Sequence, residues 1–229
     1  MRFIVWLSIV LWLTGCSSLM ETLPTNQQEV AGSRPFKGFS KQLYQNWQRS
    51  GDKVLWVNTQ HSYILVSVFK GGSLARLGHD HVVVVHDLIG AVDDTKGVGD
   101  FSFELNNMAV DEENYRAMMH LPLGISEGAI KGTRSNMLNK VLFADQYPLV
   151  TIHAQKLKDN PGFVGLVINL HGVSQRKIIA YHAISKDGHV HLTGQTAITQ
   201  TQFGIKPFSV LGGALEVKNE LNIQFDIEI

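Results

Sequence analysis

The chain of 229 residues has a single cysteine, Cys16, and six prolines. One thiol excludes an internal disulfide, a cysteine-based metal cage and a thiol relay, so stability must come from burial and backbone hydrogen bonds. Charge of one sign is also lacking: Lys+Arg and Asp+Glu number 20 each, the formal net charge is 0, and charged residues make up 17% of the chain. No basic stripe or arm is present, which excludes the electrostatic footprint of a nucleic-acid-binding protein. Nor is there an apolar run near the roughly 20 residues that span a bilayer. Hydrolase signatures are missing as well: there is no Gly-x-Ser-x-Gly and no His-Glu-x-x-His, so no nucleophile stands beside a base in a recognisable frame. We expect no enzyme.

What is present begins at the N-terminus. Met1-Arg2 precedes an eleven-residue, largely apolar run, Phe3 to Leu13, closed by Thr14-Gly15-Cys16. A basic start, a short hydrophobic stretch and small residues at its end read as a secretion signal. Leu13-Thr14-Gly15-Cys16 resembles the bacterial lipobox, which implies cleavage before Cys16 and acylation of its thiol. Each buried methylene of an acyl chain adds about 0.8 kcal/mol of membrane affinity, so several chains anchor durably. By the same resemblance, Ser17 in place of Asp implies sorting to the outer membrane, on its periplasmic face. Removing residues 1–15 leaves 214 residues and takes Arg2 alone among the charged side chains, for a net charge of about −1.

Residues 16–52 read as a tether, broken by Ser17-Ser18, Pro24, Gly32-Ser33, Pro35 and Gly51. Within it Leu43, Tyr44 and Trp47 have helical spacing, which allows a short helix from Ser40 to Arg49 packed on the domain or on the membrane. From residue 53 to 229 the period is two. Leu215, Val217, Leu221, Ile223, Phe225, Ile227 and Ile229 alternate with polar residues, as do Phe101, Phe103 and Leu105, Val150, Ile152 and Ala154, and Val164 to Leu170. Such strands have one dry and one wet face. Tyr63–Phe69, Val82–Val92, Arg176–Ile184 and a strand around Val190 and Leu192 complete about eight. Strands of this kind must close their dry faces on one another, so the expected class is all-β: an antiparallel barrel or sandwich. Thr133 to Leu142 and a stretch from Asp111 break the rhythm as short helices at a barrel end, the first capped by Thr133 or Ser135.

Six motifs in order resemble the YceI-like family: His61-Ser62, Leu77-Gly78-His79-Asp80-His81, Gly132-Thr133-Arg134-Ser135-Asn136-Met137-Leu138, Ala144-Asp145-Gln146-Tyr147-Pro148, Leu170-His171-Gly172-Val173-Ser174 and Gln202-Phe203-Gly204-Ile205. The resemblance spans about three quarters of the chain. It implies a lipocalin-like antiparallel β-barrel whose apolar cavity holds a polyisoprenoid, an isoprenoid quinone or a similar amphiphile, without catalysis. Many relatives carry an Arg-Asp pair before the helix where this chain reads Thr133-Arg134-Ser135.

The residues themselves offer candidate sites. An eight-stranded barrel either packs solid or holds one small ligand, and Phe101, Phe103, Met137, Ile152 and Phe203, with the smaller or adaptable Ala154, Gly194 and Met118, are the interior candidates. Arg134 is placed to reach a ligand head group or to pair with a carboxylate such as Asp145. His79 and His81 share one face of an extended segment, about 7 Å apart, a chelating geometry that Asp80, His86 or His171 would have to complete. His153, His189 and His191 fall on polar faces and read as solvated. The main expectation is a lipid carrier tied to the membrane through acylated Cys16. Its rivals are a metal- or haem-related protein using His79 and His81, and a non-catalytic stress or assembly factor.

Overall fold

The computed structural model describes residues 38–186 and 188–229; the signal segment, the lipobox and Cys16 lie outside them. Helix α1 (Lys41–Arg49) comes first. Strands β1 (Val54–Trp56), β2 (Tyr63–Gly71), β3 (His81–Val85), β4 (Ile89–Asp93), β5 (Val98–Glu104) and β6 (Ala109–Val110) follow. Helices α2 (Glu113–Met118) and α3 (Glu127–Asn136) come next, the second running into a π-turn, Met137–Val141. Then come β7 (Leu149–Lys156), β8 (Phe163–Leu170), β9 (Val173–Ala180), β10 (His182–Lys186), β11 (His189–Thr199), β12 (Ser209–Val210) and β13 (Leu215–Glu228).

All strand pairs are antiparallel. They form two sheets, one ordered β1-β4-β5-β7-β8-β9 and the other β10-β11-β13-β2-β3-β6, with β12 on β13. The all-β class is as expected, with more and shorter strands than eight. Three of the extra strands, β1, β6 and β12, are only two or three residues long, and two more arise at corners. Val82–Val92 breaks at His86-Asp87-Leu88, where the chain leaves β3 in one sheet and enters β4 in the other; Arg176–Ile184 breaks at Tyr181 between β9 and β10 in the same way. Beside this second corner β9 presses on β11: a Cβ on Gly194 would stand 2.9 Å from the Ala180 carbonyl oxygen and 2.6 Å from Phe225.

Alternation drives the dry faces together. Ile64, Val83, Val85 and Ile227 from one sheet and Phe101 and Val150 from the other share a single buried cluster with Leu88 and Leu105. A fully buried side chain of this kind stabilises by about 1.5–3 kcal/mol. The unbroken run Val82-Val83-Val84-Val85 is buried on both faces, because Tyr115, Met119 and Leu121 from α2 and its continuation cover Leu65, Val82 and Val84 from outside. That double cover removes the need for alternation.

Helix α1 forms because Ser40 caps it, its side chain accepting from the Leu43 amide, and it stops at Ser50-Gly51, where Gly51 has φ 97°. Its buried face packs on the first sheet: Tyr44 is fully buried against Val54 and Ala91, flanked by Phe39, Trp47 and Trp56. The folded domain thus takes in residues from 38 onward, well ahead of residue 53. Helix α3 also starts earlier than Thr133, because Ser126 is the cap, accepting from the Ala129 amide.

Candidate ligand-binding cavity

Between the sheets lies a cavity of about 500 Å³, well inside the ~300–1,000 Å³ range of small-molecule sites. Phe101, Phe103, Met137 and Ile152 line it, with Ala154, Leu166, Leu192 and Ile223. Strand alternation aims these side chains inward, while the π-turn after α3 contributes Met137 and Val141. Two glycines shape its wall. A Cβ on Gly90 would stand 2.7 Å from Phe101 Cδ1, and one on Gly99 would stand 3.1 Å from Phe101 Cε2. The ring therefore packs over two positions without side chains; at Gly90 a Cβ would also stand 2.6 Å from the Asp100 carbonyl oxygen, so the strand backbone itself requires glycine there.

Three interior candidates lie elsewhere. Phe203 is buried in a separate cluster with Ile205, Ile168 and Val141 and is not part of the cavity wall. Met118, at the end of α2, is 52% exposed, since α2 sits outside the second sheet. Gly194 is filled over by Phe225. Arg134 turns to backbone rather than to Asp145: its Nε donates to the Met108 carbonyl at 3.1 Å and its Nη2 to the Asn106 carbonyl. It ties α3 to the segment before β6, a fastening role.

His79 and His81 are not joined by a third ligand among the described residues. Their ring centroids are 6.4 Å apart, and His81 Nδ1 meets Asp111 Oδ2 at 2.5 Å. The residues that would complete the set are dispersed: Asp80 accepts from the Lys70 amide, His86 pairs with Glu112 and His171 stacks on Tyr147. Among the described residues no group of three His, Cys, Asp or Glu is arranged to hold an ion.

The structure instead builds three polar networks from residues far apart in sequence. The most buried is centred on Asp111, whose side chain has no exposure and Arg116's 2%. Asp111 Oδ1 accepts from Arg116 Nη1 at 2.5 Å and from the Val82 amide at 3.1 Å, and Arg116 also donates to the carbonyls of Asp80 and Pro122. Burial pushes the Asp111 carboxyl up, but hydrogen bonds from His81, Val82 and Arg116 outweigh it and hold the group below the usual aspartate range. Under α1, the Tyr44 hydroxyl donates to Asp100 Oδ2 at 2.9 Å and His153 Nδ1 meets Asp100 Oδ1 at 2.6 Å; burial first, then the Asp100 charge, pushes the Tyr44 hydroxyl far up. On the outer face of the second sheet, Glu228 sits among His61, His189 and His191, with Asn58 donating to it at 2.7 Å. His191 also meets Asp226 at 2.7 Å and its side chain is only 15% exposed, so it is not simply solvated. Spacing in the sequence signals the histidines but not their carboxylate partners.

The class defined by this arrangement is an antiparallel two-sheet β domain with an internal cavity of largely apolar lining. No family model matches the sequence, and neither does any curated protein. Among solved structures, a polyisoprenoid-binding domain from Saccharophagus degradans implicated in plant cell wall breakdown is similar, with a TM-score of 0.54 at 11% identity, covering 77% of this chain and 97% of its own. BcnA of Burkholderia cenocepacia matches with a TM-score of 0.51, also at 11% identity, over 76% of this chain and 99% of its own. The chain shares the fold of these two proteins, in keeping with the antiparallel all-β class that the YceI-like resemblance implied, here as two sheets.

Proposed function

We propose that this protein is a YceI-like lipid carrier. It holds one polyisoprenoid, isoprenoid quinone or similar long apolar molecule between its sheets, for transport, storage or sensing, and performs no catalysis. The observation that carries the reading is the cavity of about 500 Å³ with its almost wholly apolar wall. The fold shared with a polyisoprenoid-binding domain supports it. Burying apolar surface contributes roughly 25 cal/mol per Å² before ordering costs, and such a wall offers a tail little else. The reading includes acylation of Cys16 and a periplasm-facing position on the outer membrane, which would keep the carrier beside its lipid source.

The volume sets a length. A cavity of this size encloses a limited length of chain, so tails longer than it must protrude. Competition of isoprenoid alcohols of graded length against a fluorescent apolar probe tests this. Affinity should rise with length, each buried methylene adding about 0.8 kcal/mol, and level off near the length of the cavity. A flat response, or no displacement at any length, contradicts the proposal.

A further inference from the structure

The cavity wall carries charge at one place. Apart from His81, which Asp111 holds, its charged lining residues are Lys53, Asp94 and Lys156. They converge from three parts of the chain: just before β1, just after β4 and the last residue of β7. Asp94 Oδ2 accepts from Lys53 Nζ at 3.0 Å and Oδ1 from Lys156 Nζ at 2.5 Å. Side-chain exposures of 67%, 34% and 45% for Lys53, Asp94 and Lys156 show that here the cavity meets water.

The backbone beneath is fastened. The Asp94 amide donates to the Lys53 carbonyl at 2.9 Å and the Lys156 amide to the Gly97 carbonyl at 2.8 Å, while the Lys53 amide donates to Thr95 Oγ1 at 2.9 Å. Gly97 takes φ +69°, and a Cβ there would press on the Lys156 stem at 3.3 Å. The two lysine roots are thus set at a fixed separation across the opening. Lys96, in the same turn, is engaged by Asp52 and Asp93 and lies over Trp47, so it adds no free cation inside.

Two ammonium groups therefore share one carboxylate, leaving a net charge of +1 at the opening of an apolar cavity. Asp94 already shows how an oxyanion sits there, one oxygen to each lysine. We propose that this opening takes the anionic head group, carboxylate or phosphate, of an amphiphile whose tail fills the cavity. The inference rests on the carrier reading and adds a ligand class to it: tails with a negative head are preferred over equal tails with a neutral one.

Oleate and oleyl alcohol, which share a tail, test this on the full mature protein at pH 8, below the concentration at which oleate self-associates. Wild type should bind oleate about two- to fivefold more tightly, the scale of exposed ion pairs. Lys53→Gln with Lys156→Gln should bind the two probes alike, and Asp94→Asn should widen the preference for oleate. Equal binding of the probes by wild type, or a preference surviving in the double variant, overturns the proposal. So does displacement of oleate by acetate or phosphate at matched concentration, which would mark a free-anion site. Failure of both probes to bind would instead remove the carrier reading itself.

Discussion

Asp111 decides more at the residue scale than any cavity residue. It holds a buried arginine, a histidine and the first amide of the β3 valine run, at φ 56°, a conformation that Asp and Asn tolerate better than most. Asp111→Asn keeps shape and backbone while removing charge. Leaving a buried guanidinium without its counter-ion should cost about 3–5 kcal/mol, read as a lower urea midpoint at pH 7. The acid limb follows from the depressed pKa of Asp111. Above the unfolded carboxyl's pKa, near 4, both states are ionised and the native pairing contributes fully. As pH falls below that value the unfolded chain takes the proton first, and the contribution is lost as pH passes through the folded pKa. Wild-type stability should therefore drop between about pH 4 and the folded value, with a shallower drop in Asp111→Asn. Equal slopes would show that the carboxylate titrates normally. The sequence shows two histidines at chelating spacing; it does not show that an aspartate thirty residues on claims one of them. The lysine pair at the opening was illegible for the same reason, since positions 53, 94 and 156 meet only after the sheet is built.

Elements were easier to read than their ends. Alternation in β5, β7, β8 and β13 identifies both the strands and their inward faces, which is why Phe101, Phe103 and Ile152 can be assigned to the interior from pattern alone. Apolarity does not say which of several buried clusters a residue joins, so Phe203 is interior but away from the cavity wall, nor does it mark Met118 as exposed. Nor does periodicity register a corner: a chain passing from one sheet to the other keeps its strand composition while its partners change, as at His86–Leu88 and Tyr181. Helix α1 illustrates the other limit, an amphipathic stretch whose docking surface the sequence leaves open. Its anchor is the hydroxyl of Tyr44 on buried Asp100. Tyr44→Phe preserves the aromatic packing but removes the donor, which should cost about 1–3 kcal/mol. Hydrogen exchange of the α1 amides should quicken more than that of β5. Unchanged exchange would mean that the ring alone holds the helix.

For the whole molecule, the account depends on two sheets being held apart far enough to leave an apolar-lined space. Helices α1 and α2 cover the outer faces of the first and second sheet, and the chain passes between the sheets at the corners. Filling the space should then abolish carriage without unfolding the domain. Ala154 lies on the inward row of β7 among cavity-lining residues, and Ala154→Phe puts a ring into the void. Its melting temperature should stay within a few degrees of wild type or rise, because cavity filling is commonly stabilising by about 0.5–2 kcal/mol. The deciding measurement is mass spectrometry of organic extracts from wild type and Ala154→Phe, both purified without detergent. We predict one long apolar lipid per wild-type chain and none from the filled variant; wild type that repeatedly yields no lipid, or a filled variant that retains it, contradicts the account.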